Sequence, residues 1–571
     1  MPGSLLGNIV PRAEDPDLLV GRSCYVDDLV LPGVLHLVFV RSTVAHARLV
    51  SVDVSGAAAM PGVAAAFTAA DLDLKPVQGF GVVNADCARP PLATDRVRFV
   101  GEAVAVVAAE SRAAAIDAAE AVVVDYEPLA AAVTPEEAVA PDAPLQFPDL
   151  GTNVAGGTRD PDAGDPYGGA DVVVRARIEN QRVAVLPLEG NAIAVVPAGS
   201  GPEDEAGDWD LTVYVATQMP HGWHKQAAGL FGIDASRLRV IAPHVGGAFG
   251  GKVGVTAEHA VAVGVALRLG RPVKWVEDRS ENLVAMPHGR GQLQWIELGL
   301  RRDGTFTGMW CRIIGDTGAY AGFGGGLAQW TTRLMAQGPY RIPKIRYDVA
   351  SVLTNTTPTG AFRGAGRPEA TAFLERIVDI AAAEVGLDPL EIRRRNLLAP
   401  EDFPYTTLMG ATYDSGGYTD ALDQAVRLAG YEELRAEQAR RREAGERHQL
   451  GIGVSTYVEV TAGGGGSEWG SVEVHDDGSA TVKAGTSAHG QGHATAFSML
   501  VADRLGIPMA QIRFVQSDTA VVPRGGGTGG SRSLQVGGSA VLGAAEAVLE
   551  RARRLAADQL EADPGDIVAA D

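Results

Sequence analysis

Four glycine-rich segments, all but the HGQGH segment placed between a predicted strand and a predicted helix, constrain this chain more than any other feature. They are GGAFGGK at 246–252, AFRGAGR at 361–367, HGQGH at 489–493 and GGGTGGS at 525–531. Glycine lets a backbone approach a ligand closely and adopt positive φ, so that amide N–H groups converge on an anion. One such loop is a weak signal, but four of them predict a single extended ligand that the chain contacts repeatedly.

The size and the cysteines limit the class of protein. With 571 residues the chain exceeds the roughly 250–300 residues at which a single core stops growing, so more than one domain is predicted. Cys24, Cys87 and Cys311 stand far apart and form no CxxC pair. Neither a disulfide framework nor a zinc or iron–sulfur site is expected from them. If the protein does redox chemistry, this chain is not expected to carry its own iron–sulfur relay.

Charge and hydropathy restrict partners and location. A net charge of −21 argues against nucleic acid as a main partner, because binding to phosphates needs a basic surface. No apolar run approaches the roughly 20 residues that span a bilayer. Residues 1–4, MPGS, lack the basic and apolar regions of a signal peptide. We therefore expect a cytoplasmic protein with no membrane span.

The order of predicted elements indicates three units. Strand-like runs at 34–40, 104–107 and 122–125, with a helix capped by Ser111, predict a compact α/β unit that ends at 140–150. The segment 160–166, DPDAGDP, is predicted to be a surface linker. Alternating strands and helices follow, among them a strand at 238–242, an all-apolar and hence buried helix at 256–269, a helix begun by Pro368 and a hairpin at 472–482. Typical domain sizes then divide the rest into lobes at 150–400 and 410–571.

The first loop also fits the start of a nucleotide-binding P-loop. The segment 246–252 matches G-x-x-x-x-G-K, but the next residue of a P-loop is a Ser or Thr whose hydroxyl ligates Mg²⁺. Here that residue is Val253, which has no hydroxyl. A nucleotide triphosphatase is therefore disfavoured, although the loop remains suited to an anion.

Single polar residues in the loops each allow a structural and a functional interpretation. His489 and His493 have a spacing that suits zinc on a helix, but the glycines between them disfavour helix, so the pair is expected to flank a turn that directs Gln491. Arg363 is either a surface side chain or a donor to a phosphate or metal-bound oxygen. Gln218, after the strand at 211–215, either caps a loop or faces a ligand. Within its loop, Phe249 is expected to line a pocket.

Taken in order, these segments resemble the large subunits of the molybdenum hydroxylase family, which includes xanthine dehydrogenase, aldehyde oxidase and aerobic carbon monoxide dehydrogenase. GRSCYVDD at 21–28, RSTVAHA at 41–47 and FVGEAVA at 99–105 resemble the family's first domain. The resemblance covers the whole chain, and the glycine-rich loops carry its most specific motifs. It implies an α/β fold: an α/β hammerhead domain at 1–140, then a molybdopterin-binding region with one lobe at 150–400 and a second, truncated lobe at 410–571.

The resemblance also implies a cofactor and the residues around it. The cofactor is molybdopterin with molybdenum, in the cytosine dinucleotide form common in bacterial relatives, while FAD and 2Fe–2S clusters are expected on partner subunits. No side chain of this chain is expected to ligate the metal, which is held through the pterin near Gln218, Phe249 and Arg363. The implied cofactor-binding residues are Gln218, Gly247, Ala248, Phe249, Gly250, Arg363, Gln491, Gly529, Gly530 and Ser531. In the implied reaction, a Glu deprotonates a water-derived oxygen that then attacks an electrophilic carbon, as in the oxidation of N-heterocycles or aldehydes.

Departures from the family pattern narrow the range of expected substrates. Purine-oxidising members carry a Glu where this chain has Val253, and Ala365 and Val454 stand where they have two substrate-stacking Phe rings, so xanthine is not expected. Copper-containing carbon monoxide dehydrogenases place a Cys directly after the loop Arg, and this chain has Gly364 there. AFRGAGR instead resembles the copper-less relatives of those enzymes, whose substrates vary.

The catalytic base is the largest departure. In the family it lies in a late Gly-x-Gly-Glu segment, which does not occur between Gly530 and Asp571. Gly101-Glu102 is similar only superficially, since it matches a structural motif of the first domain. No catalytic residue is therefore assigned, and this chain alone is expected to be inactive. Three explanations are open, and we rank them in this order: the chain is a fragment, it is a subunit completed by a separate C-terminal segment, or it is a non-catalytic cofactor-binding remnant.

Overall fold

The computed structural model describes residues 4–78, 82–162, 164–201, 208–462 and 466–568. The strands are β1 Leu35–Arg41, β2 Ala47–Asp53, β3 Val63–Thr68, β4 Arg96–Val97, β5 Ala103–Ala109, β6 Val123–Pro128, β7 Val154–Arg159, β8 Val172–Val183, β9 Ala192–Pro197, β10 Leu211–Val215, β11 Leu238–Ile241, β12 Val273–Val276, β13 Gly289–Leu300, β14 Phe306–Gly318, β15 Ile345–Leu353, β16 Tyr405–Thr406, β17 Thr412–Tyr413, β18 Gly470–Val474, β19 Ala480–Ala484 and β20 Ile512–Val515. The helices are α1 Asp15–Leu19, α2 Ser55–Ala58, α3 Ala69–Leu72, α4 Arg112–Glu120, α5 Pro135–Ala138, α6 Pro220–Phe231, α7 Ala257–Leu269, α8 Arg279–Ala285, α9 Phe323–Met335, α10 Arg367–Val385, α11 Pro389–Asn396, α12 Tyr418–Ala429, α13 Tyr431–Glu443, α14 His493–Leu505 and α15 Ser539–Leu560.

One seven-stranded sheet joins the N-terminal region to the region that follows it. Its order is β11-β10-β9-β12-β1-β5-β3. The junction is the parallel pair β1–β12, in which Leu35 lies opposite Val273. The predicted N-terminal unit therefore shares its main sheet with strands β9 to β12, which lie between residues 192 and 276.

A second sheet, of five strands in the order β7-β15-β14-β13-β8, packs against α10. Phe373 and Ile377 of α10 are fully buried in its core, with Ile380 partly buried beside them, so these three residues form the core face of the helix. The segment 160–166 runs from β7 to β8 of this one sheet. Asp160 pairs with Arg333 at 2.7 Å, so the segment is a fastened loop within the sheet and not the free linker that was predicted; Ala163 lies outside the described residues.

The remaining predicted elements agree with the structure. Ser111 caps α4 by accepting a hydrogen bond from the backbone N–H of Ala114. Helix α7 is buried nearly all round. The predicted hairpin is β18–β19, which forms a small sheet with β20 against α14 and α15. The mixed α/β class is confirmed. Within the described ranges, no helix has both the length and the hydropathy needed to cross a bilayer.

Candidate cofactor and substrate site

Gln218 connects two of the glycine-rich loops. It follows β10 and is buried, with 3% of its surface exposed. Its Oε1 accepts a hydrogen bond from the backbone N–H of Gly250 at 3.1 Å, and its Nε2 donates to the carbonyl of Thr528 at 2.7 Å. Because a buried carboxamide must have partners, these two bonds fix the loops at 246–252 and 525–531 relative to each other.

The other two loops meet at the same place. The backbone N–H of Arg363 donates to the carbonyl of Phe249 at 2.8 Å, which attaches the loop at 361–367 to the first loop. Ser487, just before the loop at 489–493, donates its backbone N–H to Oγ1 of Thr528 at 3.3 Å. Four segments far apart in sequence thus converge on one region, as the sequence predicted.

Two of the converging loops present unpaired backbone donors. The N–H groups of Gly247, Ala248 and Phe249 make no hydrogen bond within the described parts of the chain, and the same holds for Gly529, Gly530 and Ser531. Ala248 is fully buried, so its free N–H has a substantial desolvation cost. Consecutive free N–H groups of this kind form a concave anion site. The two loops are therefore built to receive a ligand rich in acceptors.

The backbone of the first loop demands glycine at its contact with the second. Gly250 has φ of +104°, and a Cβ placed there would lie 2.7 Å from the carbonyl oxygen of Ala361. At Gly529 a Cβ would lie 2.9 Å from Cε of Met219. The first and second loops can approach each other closely only because Gly250 lacks a side chain, whereas the group facing Gly529 is the end of the flexible Met219 side chain.

Arg363 and Gln491 differ in how their side chains are used. Arg363 is exposed, and its guanidinium has no hydrogen bond or ion pair within the described residues. Gln491 turns back on its own loop, where its Oε1 accepts the backbone N–H of His489 at 2.6 Å. His493 begins α14 and stacks on Phe497, whereas His489 lies before the helix, so the two histidines do not share a helical face.

Lys252 cannot act as the lysine of a P-loop. Its side chain is fully buried, and its Nζ lies 2.9 Å from Oε2 of Glu189. The same carboxylate oxygen accepts the N–H of Gly246 at 2.8 Å, so Lys252 fastens the base of the loop. This contact agrees with the conclusion already drawn from Val253 that the loop does not hold a nucleotide with Mg²⁺.

A cavity of about 120 Å³ adjoins these loops. Gly250, Gly251 and Ala361 of the first two loops form part of its lining, and Val253 follows directly. The opposite side includes residues of the N-terminal region near Arg89. Most of the wall is apolar, contributed among others by Val77, Val255, Ala257, Ala285, Pro287, Ala321 and Pro358. The cavity therefore suits a small, largely apolar molecule placed beside the loops.

The charges on this lining neutralise one another. Oε1 of Glu258 lies 3.0 Å from Nη2 of Arg89 and 3.1 Å from Nη1 of Arg41. Burial opposes ionisation of Glu258, but the attraction of Arg89 and Arg41 outweighs it and lowers the pKa of the carboxyl to about 2. The cavity thus borders a buried ion pair and not an uncompensated charge.

The sequence predicted the loops but missed Arg89, Asn191 and Glu258 on the cavity wall. One signal was present for Glu258. It is the second residue of α7, a helix that the sequence predicts to be apolar and buried, and a carboxylate is almost never buried without a partner. Arg89 and Asn191 come from segments without any periodic pattern, and no sequence feature indicates them.

Gly101-Glu102 has a structural role, as the sequence analysis expected. Glu102 has only 1% of its surface exposed. Its Oε2 accepts the backbone N–H of Arg98 at 2.6 Å, and its Oε1 accepts the hydroxyl proton of Tyr320. Burial raises the pKa of this carboxyl. Both carboxylate oxygens of Glu102 thus accept hydrogen bonds from other groups of the protein.

Comparison with known proteins identifies the family. Residues 20–130 match the aldehyde oxidase and xanthine dehydrogenase a/b hammerhead domain, and residues 147–397 and 424–571 match molybdopterin cofactor-binding domains. The chain is 36% identical to the carbon monoxide dehydrogenase large chain of Hydrogenophaga pseudoflava, covering 98% of this chain and 73% of that one. It is 35% identical to the nicotine 6-hydroxylase large subunit of Paenarthrobacter nicotinovorans, covering 100% of this chain and 71% of that one. Quinoline 2-oxidoreductase from Pseudomonas putida 86 has a similar structure, with a TM-score of 0.90, 34% identity and coverage of 99% and 73%.

This chain belongs to the molybdenum hydroxylase family, and the predicted resemblance is confirmed. Within that family it is a molybdopterin-binding large subunit with an N-terminal hammerhead domain, and an oxidoreductase of the xanthine dehydrogenase and carbon monoxide dehydrogenase type.

Glu277, which fastens one wall of the site, makes the stability depend on pH. Burial raises its pKa to about 7, although its Oε2 accepts hydrogen bonds from Asn282 and from the N–H of Asn191. A raised carboxyl pKa favours the fold at low pH, and that stability is lost as pH rises from the ordinary value of 4.5 through 7. Since one pKa unit corresponds to about 1.4 kcal/mol, Glu277→Gln, which keeps an acceptor oxygen, should be about 2–3 kcal/mol more stable than the wild type at pH 8.

Urea unfolding of both proteins between pH 4 and pH 8 measures this difference. The advantage of Glu277→Gln should vanish near pH 4, where Glu277 is protonated in both folded and unfolded chains. An equal difference at both ends of the range would show that the variant acts through packing and not through ionisation.

Proposed function

We propose that this subunit holds a molybdenum–molybdopterin cofactor in the cytosine dinucleotide form and uses it to hydroxylate an N-heterocyclic or aldehyde-like carbon with oxygen derived from water. The electrons are proposed to leave through 2Fe–2S clusters and FAD on partner subunits. The observation that carries the proposal is the set of unpaired N–H groups from Gly247 to Phe249 and from Gly529 to Ser531, joined through Gln218. The division into domains at 1–140, 150–400 and 410–571 and a cytoplasmic location belong to the same proposal.

The donor set fits the chemistry of this cofactor. A pterin dinucleotide carries phosphate, carbonyl and ring-nitrogen acceptors, and the loops offer N–H donors with little steric obstruction. When bound, the cofactor supplies the two-electron redox chemistry and the activated oxygen.

Each proposed binding residue has a separate task. Gln218 holds the first and last loops together and presents its carboxamide beside the metal position. Phe249 and Arg363 are joined through their backbones, and the unpaired guanidinium of Arg363 is free to donate to an oxygen ligand or phosphate. The loop containing Gln491 and the backbone from Gly529 to Ser531 contact the pterin and its phosphates. These residues are proposed to position and polarise the bound cofactor. None of them is assigned as a general base.

The proposed substrate enters the cavity beside Val253. A valine cannot provide the carboxylate that purine-oxidising relatives use there. A Cys in place of Gly364 would also be strained, because this residue has φ of +97° and a Cβ would lie 2.5 Å from the ring of Pro368. The proposed substrate class is therefore a neutral N-heterocycle or aldehyde, and none of the binding residues named above is assigned as the general base.

Chemical analysis of the purified protein tests the proposal. Co-expressed with molybdopterin-synthesising and partner proteins, the chain should contain about one molybdenum and one pterin per subunit, and acid hydrolysis should release CMP. An Arg442→Lys variant, changed on the exposed α13, is the control and should be loaded equally. Protein without molybdenum or pterin would contradict the proposal, and loaded protein that no substrate reduces would favour the cofactor-binding remnant.

A further inference from the structure

Arg290 has an unusual backbone conformation next to the loop at 361–367. It is the second residue of β13, and its φ of +65° lies in the left-handed region, which a residue with a long side chain rarely adopts. The preceding residue is Gly289, where a Cβ would collide with Cβ of Phe362, so the backbone passes directly against the loop. A strained residue of this kind persists only where surrounding contacts hold it, and such residues cluster at functional sites.

The guanidinium of Arg290 binds two successive carbonyls of that loop. Its Nη1 donates to the carbonyl of Phe362 at 2.7 Å, and its Nη2 donates to the carbonyl of Arg363 at 2.8 Å. Its Cζ also lies 4.9 Å from the centre of the Phe362 ring, which restrains the planar group further. Because the N–H of Arg363 donates to the carbonyl of Phe249, both backbone polar groups of Arg363 are fixed.

The neighbouring Glu369 indicates that Arg290 serves the loop in preference to an ion pair. The carboxylate of Glu369 is fully buried, and its Oε2 accepts the N–H of Gly366 at 2.7 Å. Its Oε1 lies 3.7 Å from Nη1 of Arg290 and has no hydrogen-bond partner within the described residues. A guanidinium next to a carboxylate frequently forms two parallel hydrogen bonds with it. Here the guanidinium donates to the carbonyls of Phe362 and Arg363 instead, and one carboxylate oxygen stays unpaired.

The other carbonyls of this stretch, from Gly364 to Gly366, also accept hydrogen bonds from side chains. The donors are Nε of Arg367 and the hydroxyl groups of Thr331 and Thr332. All five carbonyls between positions 362 and 366 are therefore engaged within the protein. An anionic ligand is bound by donors and repelled by free carbonyl oxygens, so engaging these oxygens suits the loop to an anion.

We infer that Arg290 is a positioning residue that directs the side chain of Arg363 toward the cofactor. By holding the carbonyls at 362 and 363, it sets the direction in which the Arg363 side chain leaves the backbone. The guanidinium of Arg363 is exposed and has no partner within the described residues, so its placement depends on the backbone beneath it. The inference rests on the proposed function, in which Arg363 donates to an oxygen ligand or phosphate of the cofactor. It assigns Arg290 no contact with the cofactor.

A double-mutant cycle on the holoenzyme complex tests the inference through the rate of molybdenum release, without turnover. Arg290→Lys keeps the positive charge beside Glu369, but an ammonium is a point donor and cannot reproduce the planar fork that binds both carbonyls. It should release molybdenum roughly tenfold faster than the wild type, the effect of losing about one charge-assisted hydrogen bond. When Arg363→Ala is already present, the same change should accelerate release by less than about twofold, because residues that act through one another are not additive.

Arg346→Lys is the matched control. The side chain of Arg346 is also largely buried, its Cζ lies 4.7 Å from the centre of a Trp310 ring, and its Nη1 lies 3.1 Å from Oδ1 of Asp162. It is the second residue of β15 and contributes no hydrogen bond to the loop at 361–367 within the described chain. This variant should release molybdenum at the wild-type rate.

The outcomes separate a positioning role from a structural one. Equal acceleration by Arg290→Lys with and without Arg363→Ala would overturn the inference, since it would show that Arg290 supports the fold and does not act through Arg363. Unchanged release by Arg290→Lys, or acceleration by Arg346→Lys to the same extent, would overturn it as well. Arg290→Gly, which tolerates a positive φ, repeats the measurement if Arg290→Lys does not fold, and Arg363→Lys replaces Arg363→Ala if the latter is purified without molybdenum. A wild-type complex without molybdenum would contradict the proposed function and this inference together, whereas a loaded wild type with any of the contrary outcomes overturns the inference alone.

Discussion

Replacing Glu258 with Ala is expected to lower the free energy of unfolding by about 3–5 kcal/mol at pH 7. The carboxylate is buried and lies between Arg41 and Arg89, each of which donates to its Oε1. Removal leaves two guanidinium groups in the interior with one fewer counter-charge. Because a folded domain has a total stability of only about 5–15 kcal/mol, urea unfolding should reveal a large fall in the midpoint.

Glu437 provides the matched comparison for this experiment. The pKa of its carboxyl is also lowered to about 2, by hydrogen bonds from Arg440 and Arg441, but it lies in solvent on α13. Surface ion pairs contribute little, so Glu437→Ala should leave the midpoint almost unchanged. Similar losses in the two variants would contradict the argument that burial decides the cost. The contribution of Glu258 is present above pH 4.5 and disappears only as pH falls toward 2.

Gln218→Leu is expected to reduce the molybdenum retained after purification by about ten- to hundredfold, the range seen when groups that orient a metal site are removed. Leucine has a similar size but can neither accept from Gly250 nor donate to Thr528, so the side-chain link between the first and last loops is lost, while the backbone bonds of residue 218 to Lys252 and Thr528 remain. Metal analysis of the dialysed protein measures the effect.

Gln181→Leu is the control for this variant, since Gln181 is an exposed residue of β8. It should retain the wild-type amount of molybdenum. Circular dichroism of Gln218→Leu should show a folded protein, so that loss of metal cannot be attributed to global unfolding. Full retention of molybdenum by Gln218→Leu would remove Gln218 from the proposed site.

The loops and the fold class could be predicted because they depend on local sequence. Glycine at positive φ has few substitutes, so the segments around Gly250 and Gly530 are conspicuous in the sequence itself. The apolar helix α7 and the hairpin β18–β19 likewise follow from residue periodicity. For Gln218, by contrast, its place at the end of a strand allowed either a loop cap or a ligand contact, and only the family resemblance indicated a site role.

The cavity wall could not be predicted, because it forms only when distant segments come together. Arg89 meets Glu258 across 169 positions of sequence, and neither belongs to a motif. The segment at 160–166 was misjudged for a related reason. Its composition is that of a linker, but the ion pair of Asp160 with Arg333 depends on tertiary structure that composition does not encode.

The pairing of β1 with β12 has a mechanical consequence for substrate entry. Domains that close over a substrate usually turn about a hinge where few bonds cross between them. Here the backbone pairing of β1 with β12 joins the N-terminal region to the region that follows it, so these two regions cannot swing apart without breaking a sheet. We therefore expect substrate entry to depend on local movements near the cavity and not on a hinge between these two regions.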